Sequence, residues 1–231
     1  MYKKILIFTA TYNEYQNIKI FLEKINKLKL QLDVLVVDDN SNDGTLPFLK
    51  SYSKKNFKLI IREKKMGLDT AHKLAFKYAR KYKYNYLVTL DADLSHDPKV
   101  IKKIVNLLNV YPFVIGSRYI KGGKCDLKGL RYFMSYLGNI FIKYFLNINS
   151  NEFTTSYRGF NLDKLNRLNI SAIKSSGYSF FMETIFLINK INIKIHEIPI
   201  HFQSRFSGNS KIAKVEIFRT LFNVLRLKFF K

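Results

Sequence analysis

The chain has 231 residues, 47% of them hydrophobic, enough to bury a substantial core and too many for a disordered polymer. Lys and Arg number 40 against 17 Asp and Glu, a formal net charge of +23 that points to a partner carrying negative charge: nucleic acid, anionic lipid or a phosphorylated substrate. A single cysteine, Cys125, excludes an internal disulfide and agrees with a reducing compartment, and no apolar run approaches the ~20 residues that span a bilayer.

In chain order, KILIFTA (4–10) reads as a first strand rather than a signal peptide. DVLVVD (33–38), KLIIR (58–62), YLVTL (86–90) and FVIGS (113–117) follow as further strands. Amphipathic runs separate them. The clearest places Val100, Ile101, Ile104, Val105 and Leu108 on one helical face, with Asp97 as N-cap and Pro98 at the first helical position. Apolar strands alternating with helices predict an α/β fold with a mostly parallel sheet covered on both faces. Beyond residue 120 the pattern predicts amphipathic helices over 128–146 and 175–190, a strand in KIHEIPIHF (194–202) and a basic amphipathic end over 214–231. No linker, repeat or low-complexity tract interrupts the chain, so one domain is expected over 1–231.

Four polar clusters follow predicted strands: TYNE the first, DDNSNDGT the second, DADLSHDP the fourth and GSRY the fifth. Ligands of such sheets bind beyond the carboxyl ends of the strands, so all four should open onto one edge. Asp91 and Asp93 stand at i, i+2, which in extended geometry puts both carboxylates on one side. Neighbouring carboxylates repel unless a cation compensates, and Mg²⁺ or Mn²⁺ would take their oxygens while leaving room for a diphosphate. The alternative is a solvated turn capping the next helix. DDNSNDGT is not a calcium loop, because Lys50 occupies the position where a bidentate Glu is needed. Asp39 reads instead as an acceptor for a base or ribose, or as part of an acidic turn before a helix near Thr45. No glycine follows the first strand, which excludes a dinucleotide fingerprint and a P-loop. Phosphates would then rest on metal and on cations drawn from Arg118, Arg131, Arg158, Arg205 and Lys211. His72, His96, His196 and His201 lack ligand spacing with Cys125 and read as structural or solvated, and no GxSxG elbow is present.

The blocks ATYNEYQNI, VVDDNSNDGT, REKKMGLDTA, LDADLSHDP, GSRYIKGG, FTTSYRGF, GYSFFMETI and EIPIHFQSRFSGNSKI, in this order, resemble those of the dolichol-phosphate mannose synthases. These are inverting glycosyltransferases of family two with a GT-A fold. The likeness runs from the first strand to about Lys211; the early blocks are common to the family, and the late ones mark the polyprenol-phosphate sugar synthases. It implies a Rossmann-like GT-A fold, with 1–120 as nucleotide-sugar half and 121–231 as acceptor and membrane-facing half. It further implies that Tyr12, Glu14, Val37 and Asp39, with Ala10 as a wall, hold the nucleotide of GDP-mannose. Asp91, Ala92 and Asp93 would lie against Mg²⁺ or Mn²⁺ and the diphosphate. Arg118, Arg205 and Lys211 would contact phosphates or sugar, and Arg131 and Ser135 the lipid phosphate. Asp91, Asp93 and Arg118 would carry the catalysis. Three residues depart from the family: Ala10 replaces a proline, Ser204 an aspartate and Asn209 a glutamate.

The implied reaction is a metal-dependent in-line displacement by the phosphate of a dolichyl or other polyprenyl phosphate, which needs no strong general base. A hydroxyl acceptor would need one, and Glu183 is the nearest candidate, within a predicted helix. Tyr132, Phe133, Tyr136, Leu137, Ile140 and Phe141, with Phe218, Leu221, Phe222, Leu225 and Phe229, offer apolar stripes to a membrane surface or simply cover the sheet. The expected location is cytoplasmic, peripheral to the cytoplasmic face of a membrane, with a separate anchoring subunit left open. Transfer of glucose from UDP-glucose to the same lipid class is the rival reading. Nucleic-acid binding is disfavoured, since the cations are dispersed and no such motif occurs.

Overall fold

The computed structural model describes residues 3–204, 206 and 215–229, with the backbone alone at 215–217. Its core is one seven-stranded sheet, with β1 (Ile5–Thr11), β2 (Asp33–Asp38), β3 (Phe57–Ile61), β4 (Tyr86–Thr89), β5 (Phe113–Ser117), β7 (Arg158–Asn161) and β8 (His196–Pro199) in the order β3-β2-β1-β4-β7-β5-β8. Short strands β6 (Lys124–Cys125) and β9 (His201–Phe202) pair separately.

The apolar strands are explained by two layers of helices. Leu6, Phe8, Leu35 and Val37 join one core cluster, packed on Ala71, Ala75 and Ala79 of α3 (Leu68–Lys81) and on Phe181, Met182 and Ile185 of α6 (Ser179–Lys190). Ile5, Ile7, Val34 and Val36, one residue out of phase, join the other. That cluster holds Ile18, Phe21 and Leu22 of α1 (Tyr15–Asn26), Leu49 of α2 (Thr45–Ser51), and Ile101, Ile104 and Leu108 of α4 (Ile101–Leu108). A strand apolar at every position is what two covered faces require. Asp97 caps the turn at Pro98 as expected, its Oδ1 accepting from Lys99 N at 3.0 Å.

β7 was not legible in the sequence. It runs antiparallel between β4 and β5, and its four residues include a glycine. Gly159 is there because α4 lies directly on the strand: a Cβ at this position would meet Ile104 Cγ2 at 2.3 Å. The predicted 194–202 strand divides at Ile200, β8 pairing with β5 and β9 with β6.

α5 (Gly129–Leu146) and α7 (Val215–Phe229) close the far side. α5 buries only Asn139, Ile142 and Leu146 and exposes Leu130, Phe133, Met134, Leu137 and Phe141. α7 lies beside it, with the Phe229 ring 6.2 Å from Phe145, and exposes Phe218, Leu221 and Phe222. Arg226 fastens α7 to α6 through Glu183 at 2.6 Å. Among the described residues no helix is long and apolar enough to cross a membrane.

Candidate active site

β1 and β4 are neighbours, yet the chain leaves β1 toward β2 and leaves β4 toward the opposite side of the sheet. This switch point opens a crevice at the carboxyl edge, and the four polar clusters meet there.

The loops after β1 and β2 are tied by hydrogen bonds. Asp38, fully buried, accepts from Thr11 Oγ1 at 2.7 Å and from Ser41 N and Oγ at 2.9 and 2.7 Å. Ser41 Oγ accepts from Asn13 N, Asn13 Oδ1 from Asn42 N, and Thr45 Oγ1 from Glu14 N. Burial pushes the Asp43 carboxyl up, but hydrogen bonds from Thr45 and Tyr15 outweigh this and hold it below its ordinary value. Asp39 accepts from Arg62 Nε and from Met66 N at 3.2 Å, while Arg62 continues to Thr70 Oγ1 and the Gly67 carbonyl. Arg62 was missed because, at the end of an edge strand, it reads as a surface cation. Tyr12 and Glu14 line the same opening, Tyr12 beneath Lys65 Nζ at 4.8 Å from the ring and Glu14 accepting from Asn17. Ala10, the penultimate residue of β1, stands in register with Val37, whose fully buried side chain belongs to the core and leaves only its backbone available at this edge.

Asp91, Ala92 and Asp93 do not continue β4 as an extended segment. They form a turn that ends at Leu94 with φ 63°. Strand alternation therefore does not set the two carboxylates on one side, contrary to expectation. Asp93 is buried, its Oδ1 accepting from Ser95 N at 3.0 Å and Ser95 Oγ at 2.6 Å, whereas the Asp91 side chain is 36% exposed. A side chain folded back on the amide two residues ahead stabilises such a turn locally. Gln203 and Phe206 dock on this turn through Gln203 N to Ser95 O at 2.9 Å and Phe206 N to Asp93 O at 3.3 Å. His96 lies beneath, fully buried, its ring against Tyr157 and Phe202 and its Nδ1 3.8 Å from Asp91 Oδ2. Burial pushes this imidazole down to about 4.

Arg118, at the end of β5, is gripped by Glu152: Nε to Oε2 and Nη2 to Oε1 both at 2.7 Å, with Thr154 Oγ1 accepting from Nη2 at 2.8 Å. Burial works against the charge on each, but each holds the other ionised, Arg118 above its ordinary value and Glu152 below. Sequence reading overlooked Glu152, which stands just outside the FTTSYRGF block. The following Tyr119 extends the edge toward α5, its hydroxyl donating to Ser135 Oγ at 2.7 Å and its ring packing on Tyr132 and Tyr136. Arg131, one helical turn before Ser135, is exposed.

Two candidates are structural. Arg158 is 1% exposed and donates to the carbonyls of Thr155, Phe181 and Phe153, so it organises the 153–158 segment and is no phosphate ligand. Glu183 is fully buried, accepting from Ser175 N and Oγ and from Arg226, which leaves it occupied as an anchor and unsuited to be a base. Of the histidines, His72 is boxed by Phe8, Phe180 and Phe181, with burial pushing it down to about 3. Arg205, Lys211 and Asn209 lie outside the described residues.

Among the described residues no group of three or more His, Cys, Asp or Glu side chains is arranged to hold a metal ion. The edge offers two carboxylates, with the partnerless buried Nδ1 of His96 behind Asp91. The two carboxylates would suit a hard divalent ion, which takes oxygen ligands.

This sheet order, with an acidic turn at its switch point, defines a GT-A class of fold. The chain belongs to glycosyl transferase family 2, whose profile matches residues 6–168. It is 30% identical to undecaprenyl-phosphate mannosyltransferase from Micrococcus luteus, over 96% of this chain and 93% of that protein. To polyprenol monophosphomannose synthase from Mycolicibacterium smegmatis it is 28% identical, over 96% and 86%. Its fold matches that of glucosyl-3-phosphoglycerate synthase from Mycobacterium tuberculosis, solved with Mn²⁺, UDP and glucosyl-3-phosphoglycerate, with TM-score 0.69 over 97% of this chain and 80% of that one, at 13% identity.

Proposed function

We propose that the chain transfers mannose from GDP-mannose to a dolichyl or other polyprenyl phosphate, with inversion at C1, while bound peripherally to the cytoplasmic face of a membrane. One observation carries this reading beyond the family: Phe206 N is held on the acidic turn through Asp93 O, and the loop that follows β5 at the same edge is held on α5 through Tyr119 Oη to Ser135 Oγ. A nucleotide-sugar crevice thus opens beside a helix whose outer face is apolar, as a lipid acceptor requires. Both relatives above carry names for transfer to polyprenyl lipids.

In this reading Tyr12, Glu14 and Asp39 border the base and ribose, and Asp91 and Asp93 hold Mg²⁺ or Mn²⁺. The bound ion would neutralise the leaving diphosphate. Arg131 and Ser135, at i and i+4 on α5, face the same way and bring the lipid phosphate to the edge. A phosphate oxygen forms the new bond to C1 as the bond from C1 to the nucleoside diphosphate breaks. The monoester is already largely ionised at neutral pH, its second pKa being ~6 in the phosphoamino-acid case, so no residue need take a proton. The exposed apolar residues of α5 and α7 rest in the interface, where each nearby Lys or Arg adds ~1 kcal/mol against anionic lipid.

The test is transfer of radiolabelled mannose from GDP-mannose to polyprenyl phosphate with Mg²⁺, with Mn²⁺, with EDTA and with Asp93→Ala, UDP-glucose running in parallel. Mannolipid that requires the ion and disappears with Asp93→Ala is expected. Lipid product from UDP-glucose alone would replace the sugar, and product from neither donor would overturn the acceptor assignment.

A further inference from the structure

His96 stands apart from the other three histidines. It is 1% exposed, and its Nδ1 has no hydrogen-bond partner. A polar atom in that position is costly unless something compensates it. Asp91 Oδ2 lies 3.8 Å from this nitrogen, too long for a hydrogen bond but within ion-pair reach, and Asp93, Arg118 and Glu152 are the further charges that act on the ring. On the other side of the ring, Nε2 lies 3.2 Å from Thr155 Oγ1.

The hydroxyl of Thr155 decides which nitrogen carries the proton. Thr155 is 4% exposed, and its oxygen already accepts from Tyr157 N at 3.2 Å. If its proton goes to Nε2, then Nδ1 carries the ring's hydrogen and presents an N–H to the Asp91 carboxylate. The other tautomer leaves the Thr155 proton without an acceptor and turns a lone pair toward an anion. Only the first arrangement uses the Thr155 proton and turns an N–H rather than a lone pair toward the Asp91 carboxylate.

We infer that His96 is a positioning residue for the metal site: its Nδ1–H, set by Thr155, fixes the Asp91 carboxylate in the orientation that receives the divalent ion. This rests on the reading of Asp91 and Asp93 as metal ligands. A carboxylate that shares its oxygens between an ion and a fixed N–H donor is held in one rotamer, and such supporting groups typically change metal affinity 10- to 100-fold. The ring also touches Phe202, and a backbone bridge joins His96 to the same residue. One side chain therefore ties the acidic turn to the segment whose sequence distinguishes the lipid-phosphate subgroup.

The test is Mn²⁺ binding followed by electron paramagnetic resonance of the free ion, with GDP and, separately, UDP present. His96→Phe keeps a ring between Tyr157 and Phe202 and removes the N–H; it should weaken Mn²⁺ 10- to 100-fold. His96→Asn returns an N–H near the Nδ1 position and should recover most of that loss. Thr155→Val, which packs alike without the hydroxyl, should weaken binding in the same direction and serves if His96→Phe does not fold. Equal affinity in the wild type and folded His96→Phe or Thr155→Val would overturn the inference alone. So would a loss in His96→Asn as large as in His96→Phe. Absence of Mn²⁺ binding by the wild type would overturn the metal reading and the inference with it.

Discussion

Replacing Glu152 by alanine should cost about 3–5 kcal/mol of folding stability, the usual cost of removing one partner from a buried ion pair. The carboxylate is fully buried and takes both Nε and Nη2 of Arg118 at 2.7 Å, together with the amides of Thr154 and Thr155 at 3.1 and 3.2 Å. Its loss leaves an 8%-exposed guanidinium charged and short of its partner, and two amides uncapped. Against a typical total of ~5–15 kcal/mol, the variant should melt well below the wild type. Urea unfolding followed by far-UV circular dichroism measures the difference. The pair argument makes a second demand: Arg118→Met with Glu152→Leu should be far less destabilised than the sum of the two single changes, since an apolar pair leaves no stranded charge. Acid dependence supplies the third. Arg118 holds the Glu152 carboxyl below its ordinary 4.5 despite burial, so its contribution is complete above that pH and is lost as pH falls through the lowered value. Glu152→Gln should flatten that acid limb. A cost below ~1 kcal/mol for Glu152→Ala, or strict additivity in the double variant, would refute the reasoning.

Glu183→Gln should leave the shape of the pH–rate profile unchanged, whatever it does to stability, because Arg226 and Ser175 occupy the carboxylate; displacement of the acid limb in that variant would restore a base and a hydroxyl acceptor. Phe133→Ser with Leu137→Ser, on residues 60% and 47% exposed, should leave the melting temperature unchanged and weaken binding to anionic vesicles by ~10- to 100-fold, taking about half the usual 1.5–3 kcal/mol burial of each side chain. Co-sedimentation checks this, and unchanged partition would remove α5 from the membrane-facing surface.

β1, β2, β4 and β5 were legible because each is covered on both faces and so is mostly apolar; DVLVVD and FVIGS coincide with β2 and β5 residue for residue. β7 escaped because α4 sits on Gly159, which removes the one side chain that would have marked a strand, and because Arg158 looks like a surface cation while serving three buried carbonyls. The convergence of the polar clusters followed from topology alone. Their internal wiring did not. Spacing at Asp91 and Asp93 suggested extended chain, but Ser95 folds Asp93 into a turn. Likewise Arg62, Glu152 and Arg226 each find a partner 23, 34 and 43 residues away, a separation no local pattern reports.

Those pairs change the meaning of the +23 charge. The arginines nearest the crevice are internally engaged: Arg62 with Asp39, Arg118 with Glu152, Arg158 with backbone carbonyls. They set the shape of the crevice, and much of their charge is already balanced before any anion arrives. A diphosphate brought to this edge would thus meet carboxylates and paired guanidiniums, a poor anion site by itself, which is the physical case for a divalent ion on Asp91 and Asp93. The sequence supplies further positive charge at Arg205, before Phe206, and at Lys211 and Lys214 after it; Phe206 N itself reaches Asp93 O. Exposed cations such as Arg131 and Lys228, set among the apolar residues of α5 and α7, would in the proposed function answer to a different anion, the membrane surface. On that proposal the basic residues form two populations, which salt should separate: vesicle binding should weaken steeply with ionic strength, while the buried pairs, screened far less, should hold the edge unchanged.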